Sequence, residues 1–208
     1  MNQAFKTWMT IATLLVAVCC YISNASWLVS IASITGIVYV VGVAYGHKLA
    51  NLFGAILAGC LTILSYEAGF FGNVIMNSIT VVLSLYGWYY WSTNQRNGSV
   101  IKQSLTKNQK CFGLSMVLLC VIGSVICSYN AGSALWYLDG ITAVLPLAAT
   151  VLLVGAFKEQ WSLWIPYNFL EIIMWFTALQ TTPELLAILV MRIIFFTNSI
   201  VGYYNWNK

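Results

Sequence analysis

Charge is the scarcest feature of this sequence. Only 7% of its 208 residues are Asp, Glu, Lys or Arg, against about 25% in ordinary globular domains. So few ionic groups cannot cover a soluble surface, and an ordinary soluble domain is excluded. Proline is also rare, with three in the chain, so little interrupts long helices. There is one histidine, His47, in the hairpin GHKLAN, where it reads as a loop residue. The six cysteines, Cys19, Cys20, Cys60, Cys111, Cys120 and Cys127, contain no C-x-x-C pair and lie mostly in apolar runs. They read as small buried hydrophobes, not as a metal or disulfide framework. No Ser/His/Asp set, metal cluster or phosphate loop occurs, so bond-breaking catalysis has no candidate residues and no cofactor is called for. The net charge of +4 gives no reason to expect a nucleic-acid partner.

What is present is hydrophobic sequence. Apolar residues make up 61% of the chain, and runs of about 18 residues or more recur along it. The expected fold class is an all-α polytopic membrane protein in a lipid bilayer. Spans are predicted at 8–23, 27–46, 49–66, 70–91, 111–128, 136–157, 161–179 and 185–206. The first segment could be a short span, an uncleaved signal-like segment or an interfacial helix, and a span is the preferred reading. Residues 92–110, polar and basic, read as a solvated loop. Alternating sides puts Lys6, Lys48, Arg96, Lys102, Lys107, Lys110, Lys158 and Lys208 together, with Glu67 and Glu184 opposite. The positive-inside rule makes the basic side, with the C-terminus, cytoplasmic. Of the cations, only Arg192 is left inside a span. Asp139, near the start of its span, reads as a cap or a helix contact.

Two triplets of spans echo each other. The segment ending at 91 closes with GWYYW (Gly87 to Trp91), and the last segment closes with GYYNW (Gly202 to Trp206). Each triplet opens on a tryptophan, Trp27 or Trp136, and has a basic hairpin at Lys48 or Lys158. With one helix joining them, the triplets share an orientation. The expected plan is two parallel three-helix repeats, 27–91 and 136–208, joined by the loop and linker helix of 92–135, after an N-terminal apolar helix at 1–26. In transporters so built, sites lie near mid-membrane at the repeat interface. Counted from the two lysines, Trp161 corresponds to Asn51 and Trp164 to Gly54, so one half offers rings where the other leaves room.

The chemistry concentrates in WSLWIPYNFLEIIMW, Trp161 to Trp175. Trp161, Trp164, Asn168, Glu171 and Trp175 step by three or four residues and share a helix face. Lipid does not tolerate that carboxylate, so the face lines protein or a water-filled path. Indoles stack on planar or cationic ligands, the preferred reading of the three; the alternative, belt tryptophans, fits Trp161 better than Trp164 or Trp175. Asn168 can read an amide or a ribose hydroxyl, or join helices. Glu171 either pairs with Arg192 to lock the last two helices or balances a cationic substrate.

These residues also resemble a known family. W-x-x-W-x-x-x-N at Trp161, Trp164 and Asn168 is similar to the signature of the PnuC-type vitamin transporters. SITGIVYVV at 33–41, LYGWYYW at 85–91, LDGITAVL at 138–145 and G-x-x-x-W at 202–206 extend the match over nearly the whole chain. The resemblance implies seven core helices in a three-one-three order and a homotrimer. It implies facilitated diffusion of a vitamin precursor trapped by phosphorylation, and a peripheral helix before about residue 25. It places Ser84 and Trp88, in and beside the Y-G-W stretch, among the site residues. Ser84 stands where the nicotinamide riboside members usually carry glutamine; those members lack an acid at Glu171 and a charge at Arg192. Thiamine, flat and cationic, is therefore the favoured substrate, with nicotinamide riboside as the alternative. A structural membrane subunit is the alternative of another class.

Overall fold

A computed structural model describes residues 3–207. The side chain of Lys6 and all of Lys208, both placed on the basic side above, lie outside the described residues. Eight helices follow in order: α1 (Gln3–Ile22), α2 (Trp27–Ala44), α3 (Leu49–Glu67), α4 (Phe71–Thr93), α5 (Lys107–Asn130), α6 (Trp136–Val154), α7 (Gln160–Leu179) and α8 (Leu186–Asn207). A 3-10 turn at Pro183–Leu185 leads into α8, and two short strands, β1 (Gln95–Arg96) and β2 (Ser99–Val100), lie between α4 and α5. The expected all-helical membrane class is what the chain forms.

Sequence sets the helix boundaries. Ser26 caps α2 by accepting from the Val29 amide, and Thr106 with Gln109 forms a reciprocal capping box at α5. Six helical segments are long and apolar enough to cross a bilayer: α2, α3, α4, α5, α6 and the stretch Pro183–Asn207. Helix α7 is of similar length but is not among them, because its tryptophans, amides and glutamate lower its hydropathy. The apolar part of α1, Thr7–Ile22, is about 24 Å long at 1.5 Å per residue, short of a ~30 Å hydrocarbon core.

Helices α2, α3, α4, α6, α7 and α8 pack in that order into a closed ring, α8 returning to α2. Mapping α2 to α6, α3 to α7 and α4 to α8 reproduces every contact in the ring. The mapping also extends further than the two triplets: α1 packs on α2 and α8, and α5 packs on α6 and α4. The joining helix α5 thus occupies the place that α1 occupies in the other half.

Paired residues make the relation concrete. The Trp91 indole N–H donates to the carbonyls of Leu153 and Val154, both at 3.1 Å, and that of Trp206 donates to the Ala44 carbonyl at 3.2 Å. Each closing tryptophan therefore caps the first helix of the opposite repeat. Gly87 seats Asn51, since a Cβ there would lie 2.9 Å from its Oδ1, and Gly202 seats the Trp161 ring within clash distance. The Gly202→Ala variant must push the Trp161 ring out of its seat. Such overpacking is expected to cost about 1–3 kcal/mol, measurable as a lower melting temperature in detergent, whereas Gly59→Ala, with open space around it, should melt like wild type.

The loop 92–110 is more ordered than the solvated connector expected from its composition. Asn97 and Gly98, both with positive φ, make the tight turn of the β1–β2 hairpin. Further along, Glu159 at the start of α7 takes hydrogen bonds from Ser104 Oγ (2.9 Å) and the Leu105 amide (3.2 Å), and an ion pair from Lys110 (2.8 Å). Burial pushes the Glu159 carboxyl up, but these partners outweigh it and hold the group below its ordinary value.

Candidate functional site

At the centre of the ring lies a narrow cavity of about 50 Å³, lined by residues of all six of its members. Helix α7 contributes Trp161, Trp164, Tyr167 and Asn168; α8 contributes Arg192, Phe195 and Ser199; α4 contributes Asn77 and Thr80. Opposite the two tryptophans, α3 contributes Gly54 and Ala58. The correspondence of Trp164 with Gly54 is thus seen as a bulky wall facing a small one. Prolines stand in two of the walls, Pro146 within α6 and Pro166 within α7, and each removes an intrahelical hydrogen bond.

Asn168 is buried with a defined orientation. Its Nδ2 donates to Ser199 Oγ at 2.9 Å, and Ser199 Oγ gives its own proton to the Phe195 carbonyl at 2.8 Å. The Ser199 oxygen must therefore accept, which assigns the amide nitrogen to it and leaves Asn168 Oδ1 without a partner. Three more cavity-lining residues hold buried polar atoms without a partner among the described residues: Thr150 Oγ1, Trp161 Nε1 and Arg192 Nε. Buried polar groups are nearly always bonded, so one acceptor and three donors around a single cavity mark it as a place for a polar guest. Trp164 is half-buried; its ring meets Tyr167 edge-on at 5.6 Å, and its N–H donates to Gln160 Oε1 at 3.4 Å.

The two deep ionisable residues form a pair. Arg192 Nη2 lies 2.8 Å from Glu171 Oε2, and that oxygen also accepts from the Trp175 indole at 2.7 Å. Arg192 Nη1 donates to the Tyr167 hydroxyl at 3.3 Å, and the guanidinium lies 5.7 Å from the Tyr167 and Phe195 ring centres. Arg192 lines the cavity. Glu171 and Trp175 are buried but do not line it.

Of the eight residues singled out in sequence, the structure brings Trp161, Trp164, Asn168 and Arg192 to the cavity wall and sets Glu171 and Trp175 behind Arg192. Ser84 is buried on α4 near Gly54, outside the lining, and Trp88 is exposed on the outer face of α4. Sequence reasoning passed over Asn77, Thr150 and Ser199. Asn77 carried a signal, an amide deep in a span; a lone Ser or Thr in a helix carries none, because it commonly bonds back to the preceding turn, as Ser199 does, and nothing in the sequence marks Thr150 as one that does not. Asp139 does cap a helix, though not its own: it accepts from the Gly72 and Asn73 amides at the start of α4, from Asn73 Nδ2 and from Ser133 Oγ.

Aromatic contacts flank the cavity toward both ends of the ring. At the basic end Trp161 meets Trp206 at 5.9 Å, and Trp206 meets Trp91 at 6.4 Å. Toward the acidic end Phe70 meets Trp175 edge-on at 5.7 Å. Phe70 also lines a recess of about 390 Å³ beside Glu67 and Leu135.

A closed ring of apolar helices around a central, polar-studded chamber is the build of a multi-pass membrane transporter. The model of the nicotinamide mononucleotide transporter family matches residues 26–208, and the chain belongs to that family of vitamin transporters. It is 34% identical over 192 residues to the nicotinamide riboside transporter PnuC of Neisseria mucosa, covering 88% of this chain and 73% of that protein. It is 32% identical over 193 residues to the protein of that name from Haemophilus influenzae, covering 88% and 80%. A crystal structure of the vitamin B3 transporter PnuC matches with a TM-score of 0.88 and 29% identity, over 100% of this chain and 92% of that one.

Proposed function

We propose that this protein carries nicotinamide riboside across the bacterial inner membrane through the central cavity. This corrects the preference for thiamine stated above, for which the relatives give no support. The observation that carries the reading is the Trp164–Asn168 pair. An indole face on the cavity suits a pyridinium ring, and the fixed Asn168 Oδ1 can accept from its carboxamide N–H. The unpartnered donors of Thr150, Trp161 and Arg192 suit the acceptor oxygens of the carboxamide and the ribose. The thiamine reading needs Glu171 to balance the charge of the guest, but Arg192 already neutralises that carboxylate at 2.8 Å. Glu171 and Trp175 then serve to hold Arg192, while Ser84 and Trp88 take no direct part.

The cavity is far smaller than the few hundred Å³ usual for ligand pockets, so a nucleoside enters only when the walls part. Movement of the guest down its own gradient needs no further residues, which is facilitated diffusion, and phosphorylation of the arriving riboside would make uptake directional. The basic end, with the C-terminus, faces the cytoplasm by the positive-inside rule. Assembly as a homotrimer belongs to the same reading, with the largely exposed apolar surface of α5 available for contact. Calorimetry on the purified protein tests the substrate directly. Nicotinamide riboside is expected to bind at least about tenfold more tightly than thiamine, a difference of about 1.4 kcal/mol; equal or tighter binding of thiamine would return the protein to the earlier reading.

A further inference from the structure

The segment between α4 and α5 crosses the basic end of the ring and bonds to both repeats. The Val100 amide donates to the Gly46 carbonyl at 3.0 Å, and Ser99 Oγ donates to the Tyr45 carbonyl at 2.6 Å. On the far side the Gln103 amide donates to the Ala156 carbonyl at 2.8 Å, and the Lys158 amide donates back to Gln103 at 3.0 Å. Gly46 and Ala156 are counterparts: each lies two residues before the hairpin lysine of its repeat, and each has positive φ, 70° and 57°. One segment thus grips the equivalent carbonyl of both hairpins. Between the grips, Lys102 Nζ donates to the Asn205 carbonyl at 2.9 Å and sits 5.3 Å over the Trp206 ring.

These ties cover the aromatic plug of Trp91, Trp161 and Trp206. The two hairpins lead directly into α3 and α7, the helices that face each other across the cavity. For the basic end to open, the starts of α3 and α7 must separate, and a segment bonded to both hairpins opposes that separation. Ile101, Lys102, Gln103 and Ser104 are exposed, so water can replace the bonds on the far side as they break, and the net cost of breaking them is small. The tryptophan braces beneath are buried and lack that exchange. We propose that residues 94–105 form a releasable strap that holds the basic mouth shut and sets how often it opens, a role that rests on the transport reading above.

The test reads access to the cavity and uses no substrate, so it remains informative even if the choice of vitamin is wrong. In protein with its native cysteines replaced, a reporter thiol is placed on the cavity wall as Ala58→Cys. A membrane-impermeant maleimide is then applied to the basic face in inside-out vesicles. Ser99→Ala and Val100→Pro, which remove the hydroxyl and the amide proton of one grip, are each expected to speed labelling by about fivefold, the effect of one neutral hydrogen bond. In a separate variant that adds Gln103→Cys and Phe157→Cys, a pair bridged in the structure, labelling is read at position 58 alone by peptide mass; oxidation is expected to suppress it there, and reduction followed by removal of the reductant to restore it. Labelling that is indifferent to the loosening substitutions, or unchanged by the cross-link once its formation is verified, overturns the strap. The cross-link keeps the question decidable should Val100→Pro fail to fold.

Discussion

Replacing Asn168 with leucine is expected to raise the KM for nicotinamide riboside uptake in proteoliposomes by about tenfold or more. Leucine keeps the branched shape of asparagine, so the helix and its packing survive, but the buried, unpartnered acceptor that Asn168 presents is gone. A donor on the guest then loses both water and Asn168 Oδ1, and such an uncompensated group costs about 1–3 kcal/mol, a factor of roughly 5 to 150. Ser199, which receives the amide proton at 2.9 Å, keeps its own bond to the Phe195 carbonyl, so the damage stays local. Trp164→Ala should add a smaller loss, about 0.5–2 kcal/mol of ring and cation–π contact. A purely structural role for Asn168 predicts the opposite pattern, with melting temperature falling and KM unmoved in the protein that remains folded.

The second large effect is expected at Arg192. Arg192→Met leaves the Glu171 carboxylate buried without a counter-charge, and breaking a buried pair in this way costs about 3–5 kcal/mol. For a chain of this length that is a fall of about 10 °C in the melting temperature in detergent. Adding Glu171→Gln to Arg192→Met removes the stranded charge and should recover most of the loss, because a buried pair contributes little net stability over a neutral replacement. The double variant then separates the two roles of the arginine: if it is stable yet binds the riboside weakly, Arg192 Nε is a contact for the guest. Binding at wild-type strength would confine Arg192 to holding α7 against α8.

Most of the fold was legible because long continuous apolar runs in a bilayer must be helices and charge sorts the two sides. The repeat could be read from Trp91 with Trp206 and Gly87 with Gly202, residues that make equivalent contacts in the two halves. The equivalence of α1 and α5 was not legible, since outward-facing helices are constrained only to be apolar and keep no matching residues. The order in 94–105 was missed for a different reason. Its partners are main-chain carbonyls at Tyr45, Gly46 and Ala156, which leave no mark on side-chain composition, although Asn97-Gly98 did announce a tight turn. On α7 the spacing of three and four correctly gathered five residues on one side. What spacing could not supply is depth: Glu171 and Trp175 share that side with Asn168 but lie beyond the cavity, where Arg192 intervenes.

The exchanged indole bonds bear on how such a molecule could have arisen. Trp91 reaches into the second half and Trp206 reaches into the first, so neither half satisfies its own helix ends. A half made alone would expose an unmet indole and an unmet helix terminus, and two identical halves meeting about a two-fold axis would cure both defects at once through one self-complementary contact. The present chain retains that contact in duplicate, as two identical subunits joined end to end would. Any later drift in one half, such as tryptophan for asparagine between positions 51 and 161, has been free to specialise the chamber provided these two fastenings stayed in place.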